Sequence, residues 1–211
     1  MTCAPTKYAP ASSNPMKSGK QEHSGEVFAG LTLKNKAITS KRFLDCVFRN
    51  CDFTGATVRF CEFRDCNFES CNLSLVKLPA SSFSGTAFKD SKLVGINWTE
   101  AAWPKIKLSC PVQFLNCLLN DSVFLGLRLD GTRISRCLAR GADFRDACLA
   151  KADLTHTDFS GALFGNTDLT GADLDQARNY AIRVAENKVK GARFSLPEAM
   201  ALLYCLDIKI V

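Results

Sequence analysis

From Phe28 to Leu174 a large apolar residue returns at nearly every fifth position. The first run reads Phe28, Leu33, Ile38, Phe43, Phe48, Phe53, Val58, Phe63, Phe68, Leu73, Leu78, Phe83, Phe88, Leu93 and Trp98, with Trp103 and Leu108 beyond it in a weaker stretch. The second reads Phe114, Leu119, Phe124, Leu129 and Ile134, skips Ala139, and continues through Phe144, Leu149, Leu154, Phe159, Phe164, Leu169 and Leu174. A period of five fits neither the 3.6 of a helix nor the 2 of a strand, so no ordinary amphipathic element buries all of these side chains on one face. The chain must instead turn a corner every five residues. Two residues before each large position stands a small one: Cys46, Cys51, Ala56, Cys61, Cys66 and Cys71 early, then Ala142, Ala147, Ala152, Thr157, Ala162, Thr167 and Ala172. One large and one small inward residue per side fill a narrow solenoid at interior packing density.

The segments Cys51 to Gly55, Cys66 to Ser70, Cys71 to Leu75, Gly141 to Arg145 and Gly171 to Asp175 resemble the pentapeptide-repeat proteins, whose consensus is Ala-Asp/Asn-Leu/Phe-x-x. The resemblance implies an all-β fold, a right-handed four-sided β-helix with four pentapeptides per coil, in which residues twenty apart stack. Phe28, Phe48, Phe68 and Phe88 then share one side, Phe43, Phe63 and Phe83 another, and Phe124, Phe144 and Phe164 a third. Thirty pentapeptides give about seven and a half coils, a shaft roughly 36 Å long at a strand spacing of ~4.8 Å. Stability is distributed coil by coil along such a shaft.

The departures from the period mark its boundaries. Between Leu108 and Phe114 the spacing is six, and the segment 98–111 holds Pro104, Pro111 and both tryptophans. Proline cannot donate to a strand ladder, so the β-helix predicted over 26–194 is interrupted near 99–113. A loop there with exposed aromatics offers Trp103, Lys105 and Lys107 as candidate partner contacts. After Leu174 the phase survives in fragments at Val184, Val189 and Phe194. Ser195 and Glu198 then read as a capping box that opens a helix, so 195–211 is expected to form a capping helix and tail strand. That helix is apolar on two sides. One side would cover the last coil, and Leu202, Leu203, Leu206, Ile208 and Ile210 would join a second protomer in a homodimer. Residues 1–25, rich in Ser, Pro, Lys and Ala, read as a disordered tail without the apolar core of a signal peptide.

Composition narrows the chemistry. The eleven cysteines fall mostly at small inward positions, where a reduced thiol is a compact filler, as expected in the cytoplasm. No Cys-x-x-Cys occurs, and His23 and His156 lie far apart, so no metal site or cofactor is expected. No apolar run is long enough to span a membrane. A filled solenoid offers no concave pocket and no catalytic residues stand out, so the chain reads as a binding protein rather than an enzyme.

The formal charge is +6, distributed as +2 over 1–25, +4 over 26–108, −3 over 109–177 and +3 over 178–211. The early bases Arg42, Arg49, Arg59, Arg64, Lys89 and Lys92 alternate with acids and read as a mixed solvated surface, with no direct nucleic-acid binding expected. Residues 141–177 hold seven acids, Asp143, Asp146, Asp153, Asp158, Asp168, Asp173 and Asp175, against Arg145 and Lys151. Asp153 and Asp173 should stack on one side. The capped end, the interruption and the overall size resemble the pentapeptide-repeat group that protects bacterial type II topoisomerases, the Qnr quinolone-resistance proteins and the microcin immunity protein. That resemblance implies partial mimicry of DNA by the acidic coils and contact with DNA gyrase or topoisomerase IV. The alternative is a generic scaffolding solenoid with an unrelated protein partner.

Overall fold

The computed structural model describes residues 9–10, 19, 21–103, 112–204 and 206. It is a four-sided parallel solenoid in which each side of a coil pairs with the same side of the next. The register is twenty: Val27 stands beside Val47, Val47 beside Asn67, and Asn67 beside Ala87. Each coil hydrogen-bonds both ways, as where the Thr57 amide donates to Lys36 O and the Val58 amide to Lys77 O. The longest sheet has seven strands, running from Ala9–Pro10 through Glu26–Ala29, Val47–Arg49, Asn67–Glu69, Thr86–Lys89 and Val112–Leu115 to Arg133–Ser135. The other sides are shorter strands and single bridges.

The large residues of the period are buried, and the three aromatic ladders form. Phe28 stacks on Phe48 at 5.0 Å, Phe48 on Phe68 at 4.6 Å and Phe68 on Phe88 at 4.9 Å. Phe43, Phe63 and Phe83 form the second ladder, and Phe124, Phe144 and Phe164 the third. The structure lengthens each ladder. Phe114 continues the first, Trp98 heads the third, and His23 heads the second, its ring 5.2 Å from Phe43 and buried. Because Glu22–Ser24 pairs with Arg42–Leu44, the shaft starts earlier than residue 26, and within the expected disordered tail Ala9–Pro10 also pairs, with Glu26–Val27. The apolar period misses this because His23 fills the rung.

The interruption is larger than a spacing of six suggests. Thr86 pairs with Val112, and Lys92 with Leu118, so the register jumps from twenty to twenty-six. Ala102 still hydrogen-bonds the coil below through Ser81 O, which places the six extra residues between Trp103 and Val112. Core packing continues across the jump, with Phe88 stacked on Phe114 at 5.5 Å and Trp98 on Phe124 at 6.0 Å. Leu108, Lys105 and Lys107 lie outside the described residues.

Most pentapeptides among the described residues end in a left-handed residue that turns the corner. Asn35, Asp45, Asn50, Asp65, Asp90, Asn116 and Asn166 all have φ between 51° and 55°. Glycine and Asn or Asp take this conformation most readily, whereas other side chains pay about 1–2 kcal/mol for it. At Gly85 a Cβ would also collide with the Asp65 carboxylate of the coil below.

The small inward residues are more than filler. The Cys46 thiol donates to Leu44 O at 3.3 Å, Cys66 to Phe43 O at 3.3 Å, and the Ser81 hydroxyl to Val58 O at 2.9 Å. Such atoms also accept amides of the coil below: Cys61 N donates to Ser81 Oγ at 2.9 Å, and Cys51 N to Cys71 Sγ at 3.4 Å, whose own thiol donates to Phe48 O. A thiol or hydroxyl here is therefore both spacer and corner hydrogen bond. Burial pushes the Cys61 and Cys148 thiols up, and in the stacked pairs the hydrogen bond from the neighbouring thiol together with burial pushes Cys66 and Cys71 up. Thiols that are buried and protonated react slowly. The seven buried cysteines, Cys46, Cys51, Cys61, Cys66, Cys71, Cys117 and Cys137, are expected to resist iodoacetamide in the native protein and to label once it unfolds. Peptide mass spectrometry reads this, and labelling of Cys61 at equal rates in the two states would contradict the packing.

The last coil closes differently from expectation. Tyr180 and Ile182 are buried inside it, Phe194 packs on the core, and Asp173–Leu174 pairs with Arg193–Phe194. The Ser195–Glu198 capping box does not form. Ser195 Oγ accepts the Gln176 amide at 2.8 Å and Glu198 Oε2 the Asn179 amide at 3.3 Å, because these amides of the preceding coil have no further coil to pair with. The helix is shorter and later than expected, Met200–Tyr204, with Ala201 and Leu202 packed on the shaft.

Candidate partner-binding surface

The Asp before each large residue serves its own turn first. Asp52 Oδ1 accepts the Thr54 amide at 2.9 Å, and the same contact joins Asp153 to Thr155, Asp158 to Ser160, Asp168 to Thr170 and Asp173 to Asp175. Asn72 and Asn97 do likewise with Ser74 and Thr99. This side-chain turn supplies a partner to an amide that the corner leaves unpaired.

Their placement bears directly on the mimicry of DNA. Asp153 and Asp173 stack on the Phe28 side as expected, but Asp158 is on the Leu33 side, Asp143 and Asp146 are on the Ile38 side and its corner, and Asp168 is on the Phe43 side. The six acids thus ring the shaft. Five of them face a base: Asp143 with Arg145 at 2.7 Å, Asp153 with Arg133 at 2.9 Å, Asp158 with Arg140 at 2.8 Å, Asp168 with Lys188 at 3.9 Å and Asp173 with Arg193 at 2.9 Å. The hydrogen bond from Arg145 lowers the Asp143 carboxyl, and that from the Thr170 hydroxyl and amide lowers Asp168. Burial works against ionisation of Asp158, but hydrogen bonds from Ser160, Asn179 and Arg140 outweigh it and hold the carboxyl well below its ordinary range. No unbroken acidic row results. The early bases are similarly engaged, Arg42 with Glu22 and Glu62, Arg64 with Glu62 and Arg49 with Glu69.

Trp103 is not free bait. Its ring lies 6.4 Å from Trp98, and its indole nitrogen donates to Trp98 O at 2.7 Å, which ties the start of the insertion to the core. At the C-terminal end Leu202 packs on the shaft while Leu203 and Leu206 are exposed; Ile208 and Ile210 lie outside the described residues.

A different surface emerges from the register. Among the described residues of the shaft four large apolar side chains are exposed, Phe60, Leu75, Leu125 and Leu163, and all four belong to the Ile38 side or its two corners. Leu163 follows Asp143 and Val123 up that side, Leu125 flanks Phe124, and Phe60 and Leu75 turn opposite corners. Phe60 and Leu75 were visible as apolar residues off the five-residue phase, whereas Leu125 and Leu163 align with them only once the jump of twenty-six is known. Among the described residues no three His, Cys, Asp or Glu gather as a metal site, and no helix is long and apolar enough to cross a membrane.

A family model described as a pentapeptide repeat region matches residues 41–110, and one described as pentapeptide repeats in eight copies matches residues 147–178. No curated protein matches the chain significantly. Among solved structures, a trypsin-treated form of QnrB1, a plasmid-mediated fluoroquinolone resistance protein, superposes with a TM-score of 0.62 at 18% identity, covering 90% of this chain and 91% of that one. A second trypsin-treated form gives 0.59 at 19% identity over 90% and 100%. HetL, a pentapeptide repeat protein involved in heterocyst differentiation regulation in the cyanobacterium Nostoc, gives 0.56 at 18% identity over 82% and 87%. At these identities the likeness is one of fold.

Proposed function

Because the chain belongs to the pentapeptide-repeat family, we propose that it is a non-enzymatic binding rod that acts in the cytoplasm on a type II topoisomerase, DNA gyrase or topoisomerase IV, and protects it from a quinolone or a peptide poison. What supports this reading is the solenoid shared over nine-tenths of the chain with a fluoroquinolone resistance protein. The interior is filled from end to end, so the outer faces are what the molecule has to act with. Partial DNA mimicry would have to use Asp146 and the outer faces of paired acids, since Asp143, Asp153, Asp158, Asp168 and Asp173 each face a base. Contact through shape and apolar surface therefore carries more of this reading than a phosphate-like row does.

The test is gyrase supercoiling in the presence of a fluoroquinolone, with the chain titrated to micromolar concentration. Recovery of supercoiling is expected; neither protection nor binding at that concentration would overturn the proposal. The second reading, a scaffold for an unrelated protein, is favoured by the paired acids and by the regulatory role given to HetL on the same fold. Pairing through the C-terminal end would rest, among the described residues, on Leu203 and Leu206, since Leu202 is engaged by its own shaft.

A further inference from the structure

The Ile38 side is charged unevenly along the shaft. In its first three coils, at Ile38, Val58 and Leu78, the side and its two corners carry Lys36, Arg59 and Lys77 and no carboxylate. These three bases make no ion pair among the described residues. The carboxylates on the flanking sides are already engaged: Asp52 accepts the Thr54 amide at 2.9 Å, and Glu62 lies between Arg42 and Arg64. The first carboxylate of the side itself is Glu100, at the corner of the fourth coil above Ala80. Uncompensated cations on one flat face set up a positive potential that attracts an anionic partner.

Two large apolar side chains frame these cations. Leu75 turns the corner that enters the Ile38 side and Phe60 the corner that leaves it, with φ of 59° and 53°. They are the only large apolar residues among the described ones with positive φ, a conformation that costs a bulky side chain energy. Phe60 is 59% and Leu75 61% exposed, so burial within the chain does not offset that cost. Arg59 lies over the Phe60 ring at 5.8 Å, which leaves a cation and an aromatic face together at the surface.

We propose that this face binds a short acidic protein segment with an apolar side chain at each end, its carboxylates over Arg59 and Lys77 and its apolar ends against Phe60 and Leu75. The unopposed positive charge selects the sign of the occupant. The aliphatic Leu75 and Pro79 select a peptide over a nucleic acid, since base stacking needs aromatic platforms and Phe60 is the one exposed aromatic ring among the described residues of this face. The footprint spans three coils, about 10 Å along the shaft at ~4.8 Å per coil, which suits a peptide of a few residues and not a folded domain. Binding is therefore weak, with a Kd on the order of 100 µM, and is weakened further by salt. This goes beyond the topoisomerase reading and does not depend on it.

Fluorescence anisotropy of a labelled, end-blocked peptide Leu-Glu-Asp-Glu-Leu tests it, with the full chain titrated to about 1 mM and saturable binding expected. Replacing both leucines of the peptide by Ser, or its acids by their amides, should weaken binding at least about fivefold. Arg59→Glu, Lys77→Glu and Phe60→Asn should each weaken it about tenfold. Lys89→Glu, the same change of charge on the Phe28 side, should leave it unchanged. Glu69 and Glu62 already occupy the matching places on other sides and Asn50 the matching corner, so these variants keep the fold, as circular dichroism will report. The proposal is overturned by no saturation, by equal binding of the Ser peptide, or by Lys89→Glu costing as much as Arg59→Glu, which would reduce the effect to net charge. Tighter binding of a short oligothymidylate through Arg59 and Phe60 would overturn it in favour of a nucleic acid.

Discussion

Replacing Phe48 by Ala is expected to destabilise the protein by about 3–5 kcal/mol, the range for deleting a fully buried aromatic ring. The ring is 1% exposed and sits between Phe28 and Phe68, with the edges of Phe43 and Phe53 at 5.3 and 5.8 Å. A solenoid core is one layer per coil. The backbone of each layer is pinned by ladders above and below, so neighbours cannot collapse into the hole, and most of the cavity term should be realised. Urea unfolding of variant and parent gives the difference; a cost below about 1 kcal/mol would mean that the ladder is not a packed core.

The second large effect is electrostatic and concerns Asp158. Its buried carboxylate accepts from Ser160 Oγ at 2.6 Å, from Asn179 at 2.9 Å, and from both Nε and Nη2 of Arg140 at 3.1 and 2.8 Å. It thereby holds three positions of adjacent coils together. Asp158→Asn should cost about 2 kcal/mol at neutral pH, since hydrogen bonds to a charged group are lost and Arg140 is left without its anion. The folded-state pKa of Asp158 lies below the unfolded value of about 3.9, so its stabilisation is complete above that pH and is lost as pH falls through the folded value. Asp52, Asp143, Asp153 and Asp168 shift in the same direction, so the parent protein should lose stability on acidification below about pH 4. Melting curves from neutral pH downward are expected to show the gap between Asp158→Asn and the parent narrowing in acid. A gap that stays constant would show that the charge of Asp158 is not its source.

Much of this architecture was legible in the sequence because the repeat is short and every copy obeys the same steric demand. The stacking of Phe48 on Phe68 follows from counting twenty. So does the pairing of Arg133 with Asp153 and of Arg193 with Asp173, which are twenty apart as well. What stayed hidden depends on where the count changes. Trp103 keeps the five-residue phase although the register has changed by Val112, so spacing alone understated the insertion. Leu125 and Leu163 are unremarkable residues until the jump of twenty-six brings them into line with Phe60 and Leu75. At the far end, Ser195 and Glu198 carry the local signature of a helix cap. The last coil leaves the amides of Gln176 and Asn179 without a strand above them, and that demand takes both side chains.

One core continues from the coils before the insertion to those after it, and the outer faces are left to make contacts. Trp98 reports on this junction, since its ring lies 5.7 Å from Phe88 below and 5.3 Å from Phe114 above. Equilibrium urea unfolding followed by tryptophan fluorescence, which sees the junction, and by far-ultraviolet circular dichroism, which sees the whole shaft, tests it most directly. Coincident transitions are predicted, whereas a fluorescence transition completed well before the loss of β-structure would show two shafts joined by a weak seam.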